Sequence, residues 1–187
     1  MTLYPLALKL TGRRVLVVGG GAVATRRVPA LLGAGAAVEI VAPELSPALR
    51  GIVDAGRAAW HARRFEPADL DDAWLVQVAI DDPAAAEQVS AAAEERRVFC
   101  VRADDRDAAT AWTPAVTRYG PVTVAVLGGG DPRRAVEVRD AIRDRLIDGT
   151  LPGADPGIYP ESEPGPVDDG DGVDDVPAVS ALDATGP

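Results

Sequence analysis

Short apolar runs alternate with helix-spaced segments along the N-terminal half of the chain, and this alternation predicts an α/β architecture. The apolar runs that predict strands lie at residues 14–18, 36–41, 60–62, 74–80 and 98–103. The segments with helical spacing lie at residues 22–32, 46–56 and 82–96. Strands that alternate with helices favour a Rossmann-like, doubly wound parallel sheet, which we expect to occupy residues 1–113.

The pattern changes after residue 103, where a polar stretch without an obvious period begins. An extended run follows at 121–127, and a helix is predicted from Asp131 to Gly149. One strand and one helix cannot bury their apolar faces alone. We therefore expect residues 114–149 to form a small α+β subdomain that completes its core against a second copy, giving a homodimer. The apolar stripe of its helix comprises Ala135, Val138, Ile142 and Leu146.

The net charge of −10 is concentrated at the C-terminus. Residues 150–187 contain nine acidic residues, seven prolines and six glycines but no lysine or arginine, so this tail is expected to be disordered. Residues 1–149 carry 20 acidic and 19 basic side chains. They offer no net positive field, which argues against nucleic-acid binding.

Cysteine and histidine are too rare for several common kinds of site. The single cysteine, Cys100, and the single histidine, His61, exclude a disulfide framework and a Cys/His zinc site, so no metal site is predicted. Cys100 and Trp74 are expected to be buried, and His61 to be a strand residue without a partner. The N-terminus shows no cleavable signal and no apolar run could span a bilayer, so we expect a cytoplasmic protein without membrane contact.

Three consecutive glycines follow the first strand and open the first helix. Strand, glycine turn and helix in this order are the context in which a G-x-G-x-x-A string indicates a dinucleotide site. Gly19 would allow the tight turn, and Gly21 would let a pyrophosphate approach the N–H groups at the helix start. A glycine turn without a ligand is the alternative. The predicted cofactor contacts in this segment are Gly19, Gly21, Ala22, Val23 and Ala24.

The ends of the second and fourth strands supply further candidate cofactor contacts. Pro43-Glu44 follows the second strand, where an acidic residue usually binds the adenosine ribose. Glu44 could instead place its charge at the start of the Ser46-capped helix. No arginine follows directly, which favours NAD over NADP, although Arg50 could reach across from the next helix. Asp81 follows the fourth strand and is a further predicted cofactor contact, although Asp81-Asp82 could instead cap the next helix.

Arg102 lies near the end of the predicted fifth strand and Asp104 directly follows it, and both are candidates for substrate binding and catalysis. Residues two apart share one face of a strand, so both side chains would be aimed at the cleft. This arrangement suggests a substrate-anchoring cation beside a carboxylate that transfers a proton. A surface ion pair without a function is the alternative.

Several segments, taken in order, resemble the precorrin-2 dehydrogenase family, which forms the N-terminal part of siroheme synthases. They are Gly12–Ala24, Val41–Ser46, Asp81–Pro83 and Pro121–Val126. The resemblance implies NAD-dependent oxidation of precorrin-2 to sirohydrochlorin by a homodimer whose second subdomain helps to shape the tetrapyrrole cleft. Some members also insert iron to give siroheme, so the resemblance extends to a possible ferrochelatase activity.

The resemblance also assigns roles to individual residues. Asp104 matches the aspartate proposed to be catalytic in the family, where the motif is usually Asn-Val-Val-Asp rather than Val101-Arg102-Ala103-Asp104. Precorrin-2 carries many carboxylates, so guanidinium groups are expected in its cleft. A nucleotide-sensing domain without catalysis and a module that hands tetrapyrrole to another enzyme are alternative functions. The predicted substrate-binding residues are Arg102, Arg118 and Arg133.

Overall fold

The computed structural model describes residues 3–151, which form two compact units. The first unit ends at Thr113 and the second begins at Pro114. The predicted tail, residues 150–187, lies almost wholly outside the described residues. Within the described part, no helix combines the length and apolar character needed to cross a membrane.

A five-stranded parallel sheet forms the centre of the first unit. The strands occur in the order β3-β2-β1-β4-β5, so the chain reverses direction across the sheet at β1. Leu16 in β1 pairs with Glu39 on one side and Val76 on the other, which fixes the register. The predicted doubly wound sheet is confirmed. Its strands are β1 (Arg14–Val18), β2 (Ala37–Val41), β3 (Ala59–His61), β4 (Leu75–Val78) and β5 (Phe99–Arg102).

Apolar side chains cover both faces of this sheet because successive residues of a strand point to opposite sides. The helices of the first unit are α1 (Ala22–Gly33), α2 (Pro47–Asp54) and α3 (Pro83–Arg96). The core on the face of α1 and α2 includes Val15, Val17, Ile40, Val28 and Leu49. The core on the face of α3 includes Leu16, Val18, Val76, Leu70 and Val89. A 3₁₀ turn, Pro67–Leu70, connects β3 to β4 on the α3 face.

A β-hairpin and one helix form the second unit. Strands β6 (Ala115–Tyr119) and β7 (Val122–Val126) are antiparallel, and helix α4 (Pro132–Ile147) packs on both. The sequence analysis missed β6, because its five residues mix apolar and polar types and give no apolar run. The residues of the predicted stripe of α4 differ in burial within one chain. Ala135 and Leu146 are buried, whereas the Val138 side chain is 43% exposed.

Two predictions about single residues are wrong for the same reason, namely that their partners are distant in sequence. Trp74 is 43% exposed rather than buried, and it lies just before β4 with the Arg13 guanidinium 4.0 Å above its ring. His61 lies in β3 as predicted, but its Nε2 is 3.2 Å from Oε2 of Glu39. Cys100 is buried as predicted.

Candidate functional site

The first two glycines of the loop are required by the fold itself. Gly19 has a φ of +119°, and a Cβ there would lie 2.0 Å from the carbonyl oxygen of Ala79, just beyond β4. A Cβ at Gly20 would lie 2.0 Å from the carbonyl oxygen of Glu44, beyond β2. The loop is therefore pressed between the segments that follow the two strands beside β1. The sequence suggested a tight turn at Gly19 but gave no sign of the contact at Gly20.

Gly21 is different, because the fold leaves space beside it. Its φ of −88° suits any residue, and a Cβ there would meet no atom within 4 Å. Gly21 is also the N-cap of α1, and within residues 3–151 this N-terminus has no side-chain cap and no acidic residue in its first turn. Helices α2, α3 and α4 are capped by the side chains of Ser46, Asp82 and Asp131.

This open helix start fits an anionic group. The N–H groups of Ala22, Val23 and Ala24 belong to the first turn, where an α-helix has donors without intrahelical partners and a positive dipole end. The first backbone bond of the helix is donated by Thr25 N–H to the Gly21 carbonyl, at 3.0 Å. A pyrophosphate would be stabilised here, and the missing Cβ of Gly21 leaves room for its approach.

The start of α2 lies beside the start of α1. The Thr25 hydroxyl oxygen is 2.7 Å from the Ser46 hydroxyl oxygen, while Ser46 also accepts a hydrogen bond from the Leu49 N–H. Ser46 donates its own N–H to the Gly20 carbonyl at 2.8 Å. Pro43 and Glu44 are exposed in the short segment between β2 and this cap. They therefore lie at the carboxyl edge of the sheet, next to the glycine loop.

Arg50 is held near the same place by an aromatic side chain. Its guanidinium lies 4.0 Å from the ring centre of Trp60, and the indole N–H of Trp60 donates to the Ala42 carbonyl at 2.9 Å. A guanidinium stacked on an aromatic face is a favourable cation–π arrangement. Arg50 is therefore held beside the end of β2. The sequence analysis had left open that Arg50 could reach this position from the next helix.

Asp81 and Asp82, for which a helix cap and a cofactor contact were both predicted, differ in their hydrogen bonds. The Asp82 carboxylate accepts hydrogen bonds from the N–H groups of Ala84 and Ala85 at 3.0 and 3.2 Å, so Asp82 is the cap of α3. Asp81 is exposed one residue earlier, at the carboxyl edge of the sheet. Asp81 therefore remains a candidate cofactor contact, whereas the carboxylate of Asp82 is used in the helix cap.

Arg102 and Asp104 form a bidentate ion pair beyond β5. Arg102 Nε is 3.0 Å from Asp104 Oδ1, and Arg102 Nη2 is 2.5 Å from Asp104 Oδ2. The side chain of Arg102 is only 3% exposed, whereas that of Asp104 is 36% exposed. The hydrogen bonds from Arg102 lower the pKa of Asp104, against a smaller opposing effect of burial. Asp104 is therefore a carboxylate near neutral pH and stands at the edge that also carries the glycine loop.

Helix α3 supplies two further partners that the sequence analysis missed. Arg102 Nη1 donates to Glu87 Oε2 at 3.0 Å and to Ser90 Oγ at 3.2 Å. Glu87 and Ser90 are three residues apart on a helix and so share one face, which was the available signal. Arg102 is buried and its guanidinium has acceptors within the protein, whereas Asp104 is partly exposed.

The last stretch of the first unit, after β5, folds back on that strand. Thr110 Oγ1 accepts the N–H of Cys100 at 2.8 Å, and the N–H groups of Thr110 and Ala111 donate to the Cys100 carbonyl. Asp104 therefore begins a loop that is closed at the sheet by Thr110. In the second unit, Arg118 in β6 and Arg133 in the first turn of α4 are both exposed.

Comparison with known proteins agrees with this geometry. The NAD(P)-binding family model NAD_binding_7 matches residues 6–115. The chain belongs to this family. It is 40% identical over 130 residues to a siroheme synthase of Chromobacterium violaceum, and 40% identical over 148 residues to one of Xylella fastidiosa. The solved structure of SirC, a precorrin-2 dehydrogenase, superposes with a TM-score of 0.62 at 26% identity, covering 79% of this chain and 71% of SirC.

These matches confirm the resemblance to the precorrin-2 dehydrogenase and siroheme synthase N-terminal family. The aligned segments cover 70% and 78% of this chain but only 28% and 31% of the two siroheme synthases. The chain thus spans less than a third of the length of these relatives. Within residues 3–151, no group of three or more His, Cys, Asp or Glu side chains is arranged to hold a metal ion.

Proposed function

We propose that this chain is an NAD-dependent precorrin-2 dehydrogenase, which oxidises precorrin-2 to sirohydrochlorin. The observation that carries the proposal is the open, uncapped start of α1 at Gly21, on the same sheet edge as the Asp104 carboxylate. The likeness in fold to SirC supports the choice of substrate. The reaction removes a hydride and a proton from precorrin-2, and NAD supplies the hydride acceptor when it is bound.

The residues at the carboxyl edge would bind the dinucleotide. The first-turn N–H groups of α1 would hold the pyrophosphate, and Glu44 would accept hydrogen bonds from the adenosine ribose. Asp81 would complete the site from the end of β4. We favour NAD over NADP because the acidic Glu44 would repel a 2′-phosphate, although Arg50 stands close to the same strand end.

Asp104 would accept the proton that leaves with the hydride. Each carboxylate oxygen has more than one acceptor position, so the bidentate contact with Arg102 leaves room for a hydrogen bond from the substrate. The lowered pKa makes Asp104 a weak base, but it also keeps the group deprotonated at neutral pH. A carboxylate in a fixed orientation at the cleft edge is what such a step requires.

Substrate carboxylates would be held by arginines other than Arg102. Arg118 and Arg133 are exposed and keep their predicted role. Arg102 is buried and bound to acceptors of the protein, which favours a role in holding Asp104. We also propose that the chain is a homodimer through the second unit, because the apolar side chains of Leu127, Val138 and Ile147 are exposed there.

Measuring the turnover of precorrin-2 distinguishes the proposed dehydrogenase from the two non-catalytic alternatives. Purified chain is incubated anaerobically with precorrin-2 and either NAD or NADP, and sirohydrochlorin is followed by its absorbance. We expect turnover with a preference for NAD. Binding of NAD without turnover would support a nucleotide-sensing domain, and binding of tetrapyrrole without turnover would support a module that transfers it. A parallel reaction with ferrous iron tests whether this chain also forms siroheme.

A further inference from the structure

The guanidinium of Arg102 is buried although the residue ends the edge strand β5. Its side chain is 3% exposed, and its nitrogen atoms contact Asp104, Glu87 and Ser90. Burial of a charged group is costly unless hydrogen bonds satisfy it, and here they do. A side chain that is buried to this extent and bound to three partners is poorly accessible to a ligand, so we expect its function to be exerted on those partners.

Among these partners, Asp104 is held most firmly. Glu87 makes a single contact through Nη1 and its side chain is 68% exposed, so solvent competes for that carboxylate. Asp104 receives two parallel N–H bonds, the geometry in which an arginine fixes both the distance and the plane of a carboxylate. The Asp104 side chain nevertheless remains 36% exposed, so solvent or a ligand can still reach its carboxylate.

We propose that Arg102 is a positioning residue, whose buried guanidinium holds Asp104 as a carboxylate in one orientation at the carboxyl edge of the sheet. This inference rests on the proposed role of Asp104 as the proton acceptor. It gives Arg102 a function distinct from binding a substrate carboxylate. Arg102 acts through Asp104 and does not itself contact precorrin-2.

The electrostatic surroundings of Asp104 agree with this role. The Arg102 contact lowers the pKa of Asp104, and the N–H groups of Asp104 and Asp105 act in the same direction. The other ionisable groups near the pair are Glu87 from α3, Asp105 from the loop and the buried Cys100 thiol in β5. Loss of Arg102 should therefore raise the pKa of Asp104 and move the acid limb of the pH–rate profile to higher pH.

The pair can be dissected without leaving a buried charge unpaired. Arg102→Met removes the charge and keeps much of the volume, while Glu87 and Asp104 can both turn to water. Ser90 still donates to the Ala86 carbonyl at 3.1 Å. Arg102→Lys keeps the charge but not the bidentate geometry. Arg63→Met is the control for the loss of a bidentate arginine elsewhere, since Arg63 contacts both carboxylate oxygens of Asp69 after β3, at the opposite edge of the sheet. In that pair the carboxylate, at 8% exposure, is the buried partner.

The first measurement does not depend on catalysis. The ¹³C-carboxyl resonance of Asp104, assigned by its absence in Asp104→Asn, is titrated in the wild type and in each variant. In Arg102→Met the pKa of Asp104 should rise by about 1–3 units, the effect of losing an adjacent cation. In Arg102→Lys the rise should be smaller, and in Arg63→Met it should be absent. An unchanged titration in Arg102→Met overturns the proposal.

The second measurement is the steady-state oxidation of precorrin-2 across pH. For Arg102→Met we expect kcat to fall by about tenfold or more, as a misplaced catalytic group would cause, with KM unchanged and the acid limb at higher pH. Arg102→Lys should recover part of kcat. A raised KM with normal kcat would instead assign Arg102 to substrate binding and overturn the proposal. A wild type that binds NAD but never oxidises precorrin-2 would refute the proposed function, while the titration would still report the coupling of Arg102 to Asp104.

Discussion

Gly21→Asp distinguishes a ligand-binding role of the glycine loop from a structural role. The substitution should weaken the binding of NAD while raising the stability of the fold. A Cβ at Gly21 meets nothing within 4 Å, and the backbone there is extended at a φ of −88°. Aspartate is among the best N-cap residues, and α1 has no side-chain cap within residues 3–151. The substitution should therefore supply the missing cap while placing a negative charge where the pyrophosphate would bind.

The two effects differ greatly in magnitude. An Asp in place of Gly at an N-cap gains a few tenths of a kcal/mol, and its charge at the positive end of the helix adds about 0.3–1 kcal/mol. The melting temperature should thus rise by about 1–4 °C. Two like charges about 4 Å apart, at an effective dielectric constant of about 20, repel by about 4 kcal/mol, which corresponds to an approximately thousandfold weaker Kd for NAD.

The assay is isothermal titration with NAD, together with thermal unfolding of the ligand-free protein. Gly33→Asp is the matched control, since Gly33 also has open space but ends α1 at its C-terminus. That variant carries the same charge, should be slightly less stable because of the helix dipole, and should bind NAD normally. If Gly21→Asp binds NAD as tightly as the wild type, the pyrophosphate does not lie at the start of α1.

Three further predictions concern the scaffold. Gly20→Ala should lose about 1–3 kcal/mol of unfolding free energy, because its Cβ would lie 2.0 Å from the Glu44 carbonyl oxygen; an unchanged urea midpoint would contradict this. Glu39→Gln should lose about 1–3 kcal/mol at pH 7, since the hydrogen bond from Arg14 lowers the pKa of Glu39. That contribution is present above the ordinary pKa of about 4.3 and disappears as pH falls through the lower value in the folded state, so the two urea curves should converge in acid. Val138→Lys should convert the proposed dimer to a monomer by light scattering, and a wild type that is already monomeric would refute the dimer.

The fold was predictable from the sequence where local signals decide it. Apolar runs followed by turn residues located all five strands of the first sheet, and Ser46, Asp82 and Asp131 were recognisable as caps because their partners lie within three residues. Strand β6 was missed because its Thr-Arg centre lacks an apolar run, and it is defined mainly by pairing with β7. That pairing needs both strands of the hairpin, so the residues of β6 alone do not indicate it.

The candidate site was predictable as a set of positions but not as a set of contacts. The glycine loop and Asp104 follow strands, and topology alone brings strand ends to one edge of a parallel sheet. The burial of Arg102 could not be predicted from its own segment, because Glu87 lies 15 residues earlier in the chain. Only the packing of α3 on the sheet brings the two together. The same limitation explains Trp74, whose partner Arg13 comes from the segment before β1.

In the proposed reaction a bound dinucleotide accepts a hydride from precorrin-2, while Asp104 accepts the proton. Its most direct test is the amount of NADH formed for each precorrin-2 consumed, measured anaerobically with the purified full chain and with Asp104→Asn. The isosteric amide keeps a hydrogen-bond acceptor for Arg102 but cannot serve as the base. We predict one NADH per precorrin-2 for the wild type, and for Asp104→Asn a rate about 10²–10⁴-fold lower with normal NAD affinity. No NADH from the wild type, or an undiminished rate in Asp104→Asn, would contradict the claim.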